Sequence, residues 1–372
     1  MIACQRSLFD IPADVAYLNC AYMGPLPLAA LQAGEDGLRR KARPWGIRPA
    51  DFFEEADQAR ALFAALVGAD AEGVALIPSA SYGLTTAARA LDLKPGDRVL
   101  VLKDQFPSNV YPWAAAGAEL VAVDVSETDA TEAVIAALDG GVRLAALPNV
   151  LWTTGARLDL VRIGAACRAV GAALALDLTQ SAGAMVTDLA AIGPDFAVAA
   201  GYKWLLCPYA TGFLWVAPQH RDARPLEETW TGRRGSEDFS GLVAYRDEYQ
   251  PGARRFDMGE RANFALLPAA IASLRLLLDW TPAAVEATLA ARNAAIADRA
   301  AAMGATPTPA DRRGPHYLSL ALPAGARPDI PARLAERGVH VSQRGASLRI
   351  TPHLWNDDAD VDRLFDALGP LL

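Results

Sequence analysis

The chain has 372 residues, 52% of them hydrophobic and 21% charged, so it can bury a sizeable core and is not a disordered polymer. Acidic residues outnumber basic ones by 43 to 35, and the net charge of −8 leaves no basic patch for nucleic acid or an anionic membrane surface. At ~150 residues per domain, the length accommodates about two domains.

Residues 1–25 read as an extended arm, and 26–42 and 51–67 as helices. From residue 74, short apolar runs alternate with helical periodicity. Strands are expected at 74–78, 98–102, 119–123, 142–147, 173–177, 196–200 and 212–217, with amphipathic helices at 81–92, 128–139 and 158–171. The alternation predicts an α/β fold whose mainly parallel sheet is covered on both faces. In such sheets ligands gather beyond the carboxyl ends of the strands. Residues 220–258, rich in Arg, Gly and Asp, fit no regular element. Residues 260–305 read as helical with a break at Thr281-Pro282. The tail reads as strand 316–322, helix 328–337, strands 339–343 and 348–352, and helix 357–368. Val361, Leu364, Phe365 and Leu368 share one face of that last helix. The expected division is an arm at 1–25, a large domain at 26–269 and a small domain at 270–372 against which the arm packs.

Cys4, Cys20, Cys167 and Cys207 are scattered with no CxxC pair, which argues for reduced thiols and against a disulfide framework or zinc site. No two of His220, His316, His340 and His353 stand four apart, so no helical metal pair forms. The N-terminus has no apolar segment behind a basic start, and a cytoplasmic location is expected.

Only four lysines occur, and three of them, Lys41, Lys94 and Lys103, fall at polar helix ends, turns or strand ends. Lys203 is different. It interrupts FAVAAGYKWLLCPYATGFLWVA, where no other side chain carries charge at neutral pH. Gly201, Pro208 and Gly212 break that run into strand, loop and strand, so it is not a membrane span. An ammonium buried between two core strands loses its proton more easily, its pKa falling by several units from ~10.4. Such a lysine either pairs with a buried acid or serves as a Schiff-base nucleophile.

If that Schiff base were formed with pyridoxal phosphate, four further groups would be needed: an anion site, a carboxylate for the ring nitrogen, an aromatic ring and a cation for the substrate. Ser79, Ala80 and Ser81 open the helix after strand 74–78 and could receive a phosphate, although a serine there is also an ordinary N-cap. No GxGxxG or GxxxxGK[ST] accompanies them, which weakens dinucleotide and nucleoside-triphosphate readings. Asp177 ends the apolar strand ALALD and could keep a pyridine nitrogen protonated, with Gln180 at the ring hydroxyl; the alternative for Asp177 is a helix cap. Phe106 could stack on the ring or simply fill core, and Tyr202 could reach the phosphate or be half-buried packing. Arg349, inside strand 348–352, could grip a carboxylate or lie on the surface.

These segments resemble the class V aminotransferase family of fold-type I pyridoxal-phosphate enzymes, which includes kynureninase-like, isopenicillin N epimerase-like and cysteine desulfurase-like members. The resemblance runs through YLNCAYMGPLP, PSASYGL, DQFPSNVYPW, NVLWTTGARLDL, LALDLTQSAGA, DFAVAAGYKWLLCPYATGF, RRFDMGERANF and VSQRGASLRITPHLWNDDADVDRL. It implies a large domain and a smaller C-terminal one, a homodimer with active sites at the interface, and pyridoxal 5'-phosphate on Lys203. It further implies Asp177 at the ring nitrogen, Gln180 at the ring hydroxyl, Phe106 on the ring face and Arg349 on the substrate carboxylate. Ser79, Ala80, Ser81 and Tyr202 match the phosphate site. Two positions depart from the pattern: Glu260 stands where many members carry a threonine, and Trp152 where some desulfurases carry an asparagine. No cysteine follows Cys207, which argues against a desulfurase working through a persulfide. The expected activity is therefore chemistry at the α-carbon of an amino acid, with transamination first and C–S lysis or epimerisation as alternatives. A non-catalytic binding protein of the same fold is the remaining alternative.

Overall fold

The computed structural model describes residues 1–126, 128–322, 327 and 329–372. Strand β1 (Ala16–Tyr17) lies in the N-terminal arm. The larger sheet comprises β2 (Val74–Ile77), β3 (Arg98–Leu102), β4 (Glu119–Val123), β5 (Val142–Pro148), β6 (Ala173–Asp177), β7 (Phe196–Ala200) and β8 (Gly212–Val216). Their spatial order is β2-β8-β7-β6-β5-β3-β4, and only β8 runs against the rest. A parallel neighbour needs a crossover of a dozen residues or so. Residues 201–211 join β7 to β8 with no helix between them, so the chain doubles back and the Lys203 loop stays at the carboxyl end of β7.

Helices α1 (Leu28–Lys41), α2 (Glu54–Leu66), α3 (Ala80–Ala90), α4 (Tyr111–Ala115), α5 (Ala130–Ala137), α6 (Leu160–Val170) and α7 (Leu189–Ile192) accompany this sheet. Both faces of its central strands are covered. In β6, Leu174 and Leu176 enter one apolar cluster, while Ala173 and Ala175 enter another. Burial on two sides explains why these strands read as continuous apolar runs instead of alternating ones. The short helices α4 and α7 were not among the expected elements; with five and four residues they span too little chain to show a period.

At the β2 edge, the buried carboxylate of Asp257 accepts from the Leu76 amide at 2.8 Å and forms a paired bond with the Arg60 guanidinium. Arg60 Nη1 also donates to the Val74 carbonyl at 2.6 Å. An ion pair thereby satisfies backbone groups that an open edge strand would leave unpaired. Residues 220–258 hold short 3₁₀ turns and one isolated antiparallel bridge between Arg233 and Tyr249.

Helices α8 (Leu266–Trp280) and α9 (Pro282–Ala302) break where expected. Thr281 adopts φ +62°, and its hydroxyl accepts from the Ala284 amide while Pro282 starts the second helix. A second, antiparallel sheet has the order β12 (Ser342–Arg344), β13 (Ser347–Ile350), β10 (Leu318–Ala321), β9 (Thr306–Pro307). The single strand expected at 339–343 is divided. β11 (Val339–His340) pairs in parallel with β1 of the arm, whereas Ser342 lies opposite Arg349 in the β12–β13 hairpin. The two halves have different partners, which the sequence of the strand alone does not encode. Helix α10 (Ile330–Ala335) falls within the expected 328–337, of which Pro328 lies outside the described residues. Asp357 and Asp360 form a capping box at the start of α11 (Asp358–Leu368), whose expected apolar face is buried.

The arm links the two sheets. The Cys20 amide donates to Thr351 O at 3.0 Å, and four residues on the Gly24 amide donates to Tyr202 O at 2.9 Å. A Cβ at Gly24 would collide with the Lys203 carbonyl, so the arm can approach the lysine loop this closely only as glycine.

Candidate active site

Beyond the carboxyl ends of β2, β3, β5, β6 and β7 lies a cavity of about 250 Å³. Eight of the nine expected residues line it: Ser79, Ala80, Ser81, Phe106, Asp177, Gln180, Tyr202 and Lys203. Arg349 does not line it, and its position is described below.

Lys203 is 7% exposed. Burial pushes its amine down to about 8, the Asp177 carboxylate pulls the other way, and the charges of Arg349 and Arg344 add to the depression. No salt bridge involves Lys203 or Asp177 among the described residues, so the buried-acid pairing is not made. The Lys203 Nζ lies 5.5 Å from the ring centres of both Phe106 and Tyr202. Asp177 accepts the Thr179 amide at 3.0 Å in a tight turn, and no helix starts there, so it is not a helix cap.

Ser79 does cap helix α3: its hydroxyl accepts from the Tyr82 amide at 3.2 Å and lies 3.0 Å from that of Ser81. Ser79 thus caps the helix and lines the cavity at once. Phe106 is 38% exposed, hence not core, and meets Trp152 edge-on at 5.5 Å. Burial pushes the Tyr202 phenol up to about 12, which keeps it a hydroxyl donor at neutral pH.

Arg349 is 1% exposed, so it is not a surface arginine. Its Nε donates to Ser342 Oγ at 2.8 Å, and its Nη1 to Trp152 O at 3.0 Å and Tyr317 Oη at 3.2 Å. These bonds draw the guanidinium behind the Trp152 backbone, which is why it stands off the cavity wall. Its Nη2 is buried and has no partner among the described residues. A buried donor left without an acceptor is costly, and Nη2 is the donor an incoming anion would complete.

Trp152, one of the two departures, lines the cavity and fastens its indole to Asp104 O at 2.8 Å. Glu260, the other, is exposed. Residues that gave no signal in the sequence also shape the pocket. Trp204 Nε1 donates to Gln180 Oε1 at 3.0 Å, and fully buried His316 holds Gln180 O at 2.6 Å. Trp204 is adjacent to Lys203, which was its one clue. No group of His, Cys, Asp and Glu suited to a metal ion occurs among the described residues.

The chain superposes on the cystine C–S lyase C-DES in complex with its product cysteine persulfide, with a TM-score of 0.85, 20% identity, and coverage of 96% of this chain and 98% of that one. A C-DES variant with glycine covalently linked to its PLP cofactor gives the same TM-score at 19% identity, covering 99% and 100%. The fold is thus that of the fold-type I pyridoxal-phosphate enzymes. The model of the family "Aminotransferase class-V" matches residues 46–356, and the chain belongs to that family. In sequence it is 35% identical to a kynureninase of Deinococcus radiodurans over 69% of this chain and 64% of the relative, so it spans less than two thirds of that protein. It is 28% identical to the isopenicillin N epimerase of Streptomyces clavuligerus over 98% of this chain and 96% of the relative.

Proposed function

We propose that this protein carries pyridoxal 5'-phosphate on Lys203 and acts at the α-carbon of an amino acid, with transamination as its reaction. The observation that carries the reading is the amine of Lys203, buried at the cavity floor and pushed down to about 8. The cofactor is pyridoxal 5'-phosphate, which when bound supplies an electron sink for bonds at the α-carbon. The residues present fit it. Ser79, Ala80, Ser81 and the Tyr202 hydroxyl would hold the phosphate, Asp177 the ring nitrogen, Gln180 the ring oxygen and Phe106 one ring face. The unpartnered Nη2 of Arg349 would take the substrate carboxylate.

With that pKa, Lys203 Nζ sheds a proton close to neutral pH, so the same nitrogen can accept a proton from the α-carbon and return one. Asp177 lies at the cavity wall, close enough to act on that amine. Elimination and epimerisation share the first bond broken with transamination, and these residues serve all three. A relay through a persulfide is outside the proposal, since no cysteine follows Cys207.

A second copy of the chain is part of the reading. Tyr22 and Met23 in the arm, Leu28 and Leu31 on α1 and Tyr209 in the Lys203 loop are large exposed side chains, and a homodimer would cover them. Light scattering reads that state directly. The functional test is a panel of amino acids with mass analysis of products. A keto acid formed together with a new amino acid from an added acceptor supports transamination. Pyruvate with ammonia, or a racemised substrate, would replace it with lysis or epimerisation. No conversion of any amino acid by the loaded protein would leave a binding protein.

A further inference from the structure

Gln180 lies against the cavity with its side-chain amide held at both ends. Its Oε1 accepts from Trp204 Nε1 at 3.0 Å, and its Nε2 donates to the Ala21 carbonyl at 3.1 Å. The two partners leave no freedom in the assignment. An indole N–H can only donate and a carbonyl oxygen can only accept, so the amide oxygen must face Trp204 and the nitrogen must face Ala21. One of the two N–H groups on Nε2 is thereby used, and the amide oxygen is turned away. What Gln180 has left for the cavity is a single N–H donor.

The holder of the amide is itself fixed. Trp204 is fully buried, and its indole meets the His316 ring edge-on at 4.4 Å. His316 Nε2 lies 2.6 Å from Gln180 O, and burial pushes the imidazole down to about 4, so at neutral pH a neutral ring donates its one N–H there. Backbone and side chain of Gln180 are therefore held from one side by two aromatic residues that do not line the cavity. Gly183 permits the approach: at φ +94° it passes so near Trp204 that a Cβ would stand 2.5 Å from the tryptophan carbonyl.

We propose that Trp204 is a positioning residue that locks the Gln180 amide with its N–H toward the cofactor's ring oxygen. This rests on the assignment of pyridoxal phosphate to the cavity and concerns a residue that would not itself touch the cofactor. Without the indole N–H only the Ala21 carbonyl still orients the amide, and an amide released from one of its two holders can turn over at the cost of that single bond. It would then present an oxygen to an oxygen, replacing a hydrogen bond with a repulsion. A donor at that place favours the anionic ring oxygen, and does so most when the neighbouring Schiff-base nitrogen has lost its proton and no longer shares the charge. Trp204 therefore lowers the pH at which the Lys203 Schiff base deprotonates.

The test uses the loaded full-length protein and reads the pH titration of its visible absorption band. Trp204→Phe keeps an aromatic ring and removes the N–H; Trp204→Leu serves if the phenylalanine variant does not fold. Gln180→Leu removes the donor itself. The titration midpoint should rise by about one pH unit in either single variant, the scale of one hydrogen bond to a charged oxygen. The Trp204 and Gln180 changes combined should shift it no further than the larger single effect, because they act through one bond. A purely structural role for Trp204 would lower the melting temperature and leave the midpoint alone. A midpoint unchanged in the Trp204 variants, or shifts that simply add in the double variant, would overturn the proposal while the cofactor assignment stands. A wild-type protein that shows no borohydride-sensitive visible band would instead overturn the cofactor assignment, and this inference with it.

Discussion

The wall of the cavity built by the larger sheet and the wall behind it built by the β12–β13 hairpin meet at Trp152 but are made differently. On the sheet side, Asp177 ends β6 while Ser79 and Lys203 come two and three residues after β2 and β7, so each is placed by a short stretch of local chain. On the hairpin side, Arg349 is placed by its bond to Trp152 O, 197 positions away in sequence, and by Tyr317 and Ser342. The sheet side is a rigid frame whose polar groups are set by backbone direction. The hairpin side depends on one guanidinium held by three oxygens, with one nitrogen left over. A change on the first side should act on the chemistry, and a change on the second on the grip of the substrate.

Asp177→Asn breaks the comparison hardest. It keeps the shape and the bond to the Thr179 amide but removes the charge, so cofactor should still bind while turnover falls by several orders of magnitude. Stopped-flow measurement of α-proton loss checks this. A rate within about tenfold of wild type, roughly 1.4 kcal/mol of barrier, would reduce Asp177 to a turn residue.

The frame has its own weak point in the Asp257 carboxylate, which pairs with Arg60 and accepts the Leu76 amide. Asp257→Ala takes the carboxylate from two buried guanidinium groups, Arg60 and Arg261, leaving Arg60 only the exposed Asp57, and denaturant unfolding should show a loss of about 3–5 kcal/mol. A loss under about 1 kcal/mol would mean that water reaches and solvates Arg60.

On the hairpin side, Arg349→Lys retains charge but not the fork that holds three oxygens while leaving Nη2 over. The value of kcat/KM for amino acids should fall by about 2–4 kcal/mol, while an amine lacking the carboxylate is almost unaffected. Equal losses for the two compounds would make Arg349 part of the frame and dissolve the contrast.

The smallest effect concerns pH. His353 stacks on Trp355 at 4.7 Å with both ring nitrogens unpartnered among the described residues, and burial followed by the nearby His316 pushes it down to about 3 from an ordinary 6.5. The unfolded chain takes up this proton first, so stability is lost as pH falls from about 6.5 toward 3. His353→Phe should flatten that part of an acid-unfolding curve followed by circular dichroism. An unchanged curve would assign the acid sensitivity to other groups.

The same division explains what was legible in the sequence. A charge inside an apolar strand or at its end stands out, which is why Lys203 and Asp177 could be found from pattern alone and why the strands of the larger sheet were located closely. Ser79 was legible too, because a helix start declares itself through its cap. Trp204 and His316 were not. Their partner Gln180 lies 24 and 136 positions away, and buried aromatic residues in an apolar segment look like core until packing shows where their N–H groups point. Splitting of the expected strand 339–343 failed to show for a similar reason, since β11 finds its partner in the arm. Arg349 was legible as a residue but not in its placement behind Trp152, which three distant oxygens decide.

The central claim is that the buried amine of Lys203 carries the cofactor. Four lysines make it simple to test: incubate the protein with pyridoxal 5'-phosphate, reduce with borohydride, digest and locate the added mass. The account predicts one pyridoxyl group, on the peptide containing Lys203, and none on Lys41, Lys94 or Lys103. A stable adduct on one of those three, or none on Lys203 in protein shown to be folded, would contradict it.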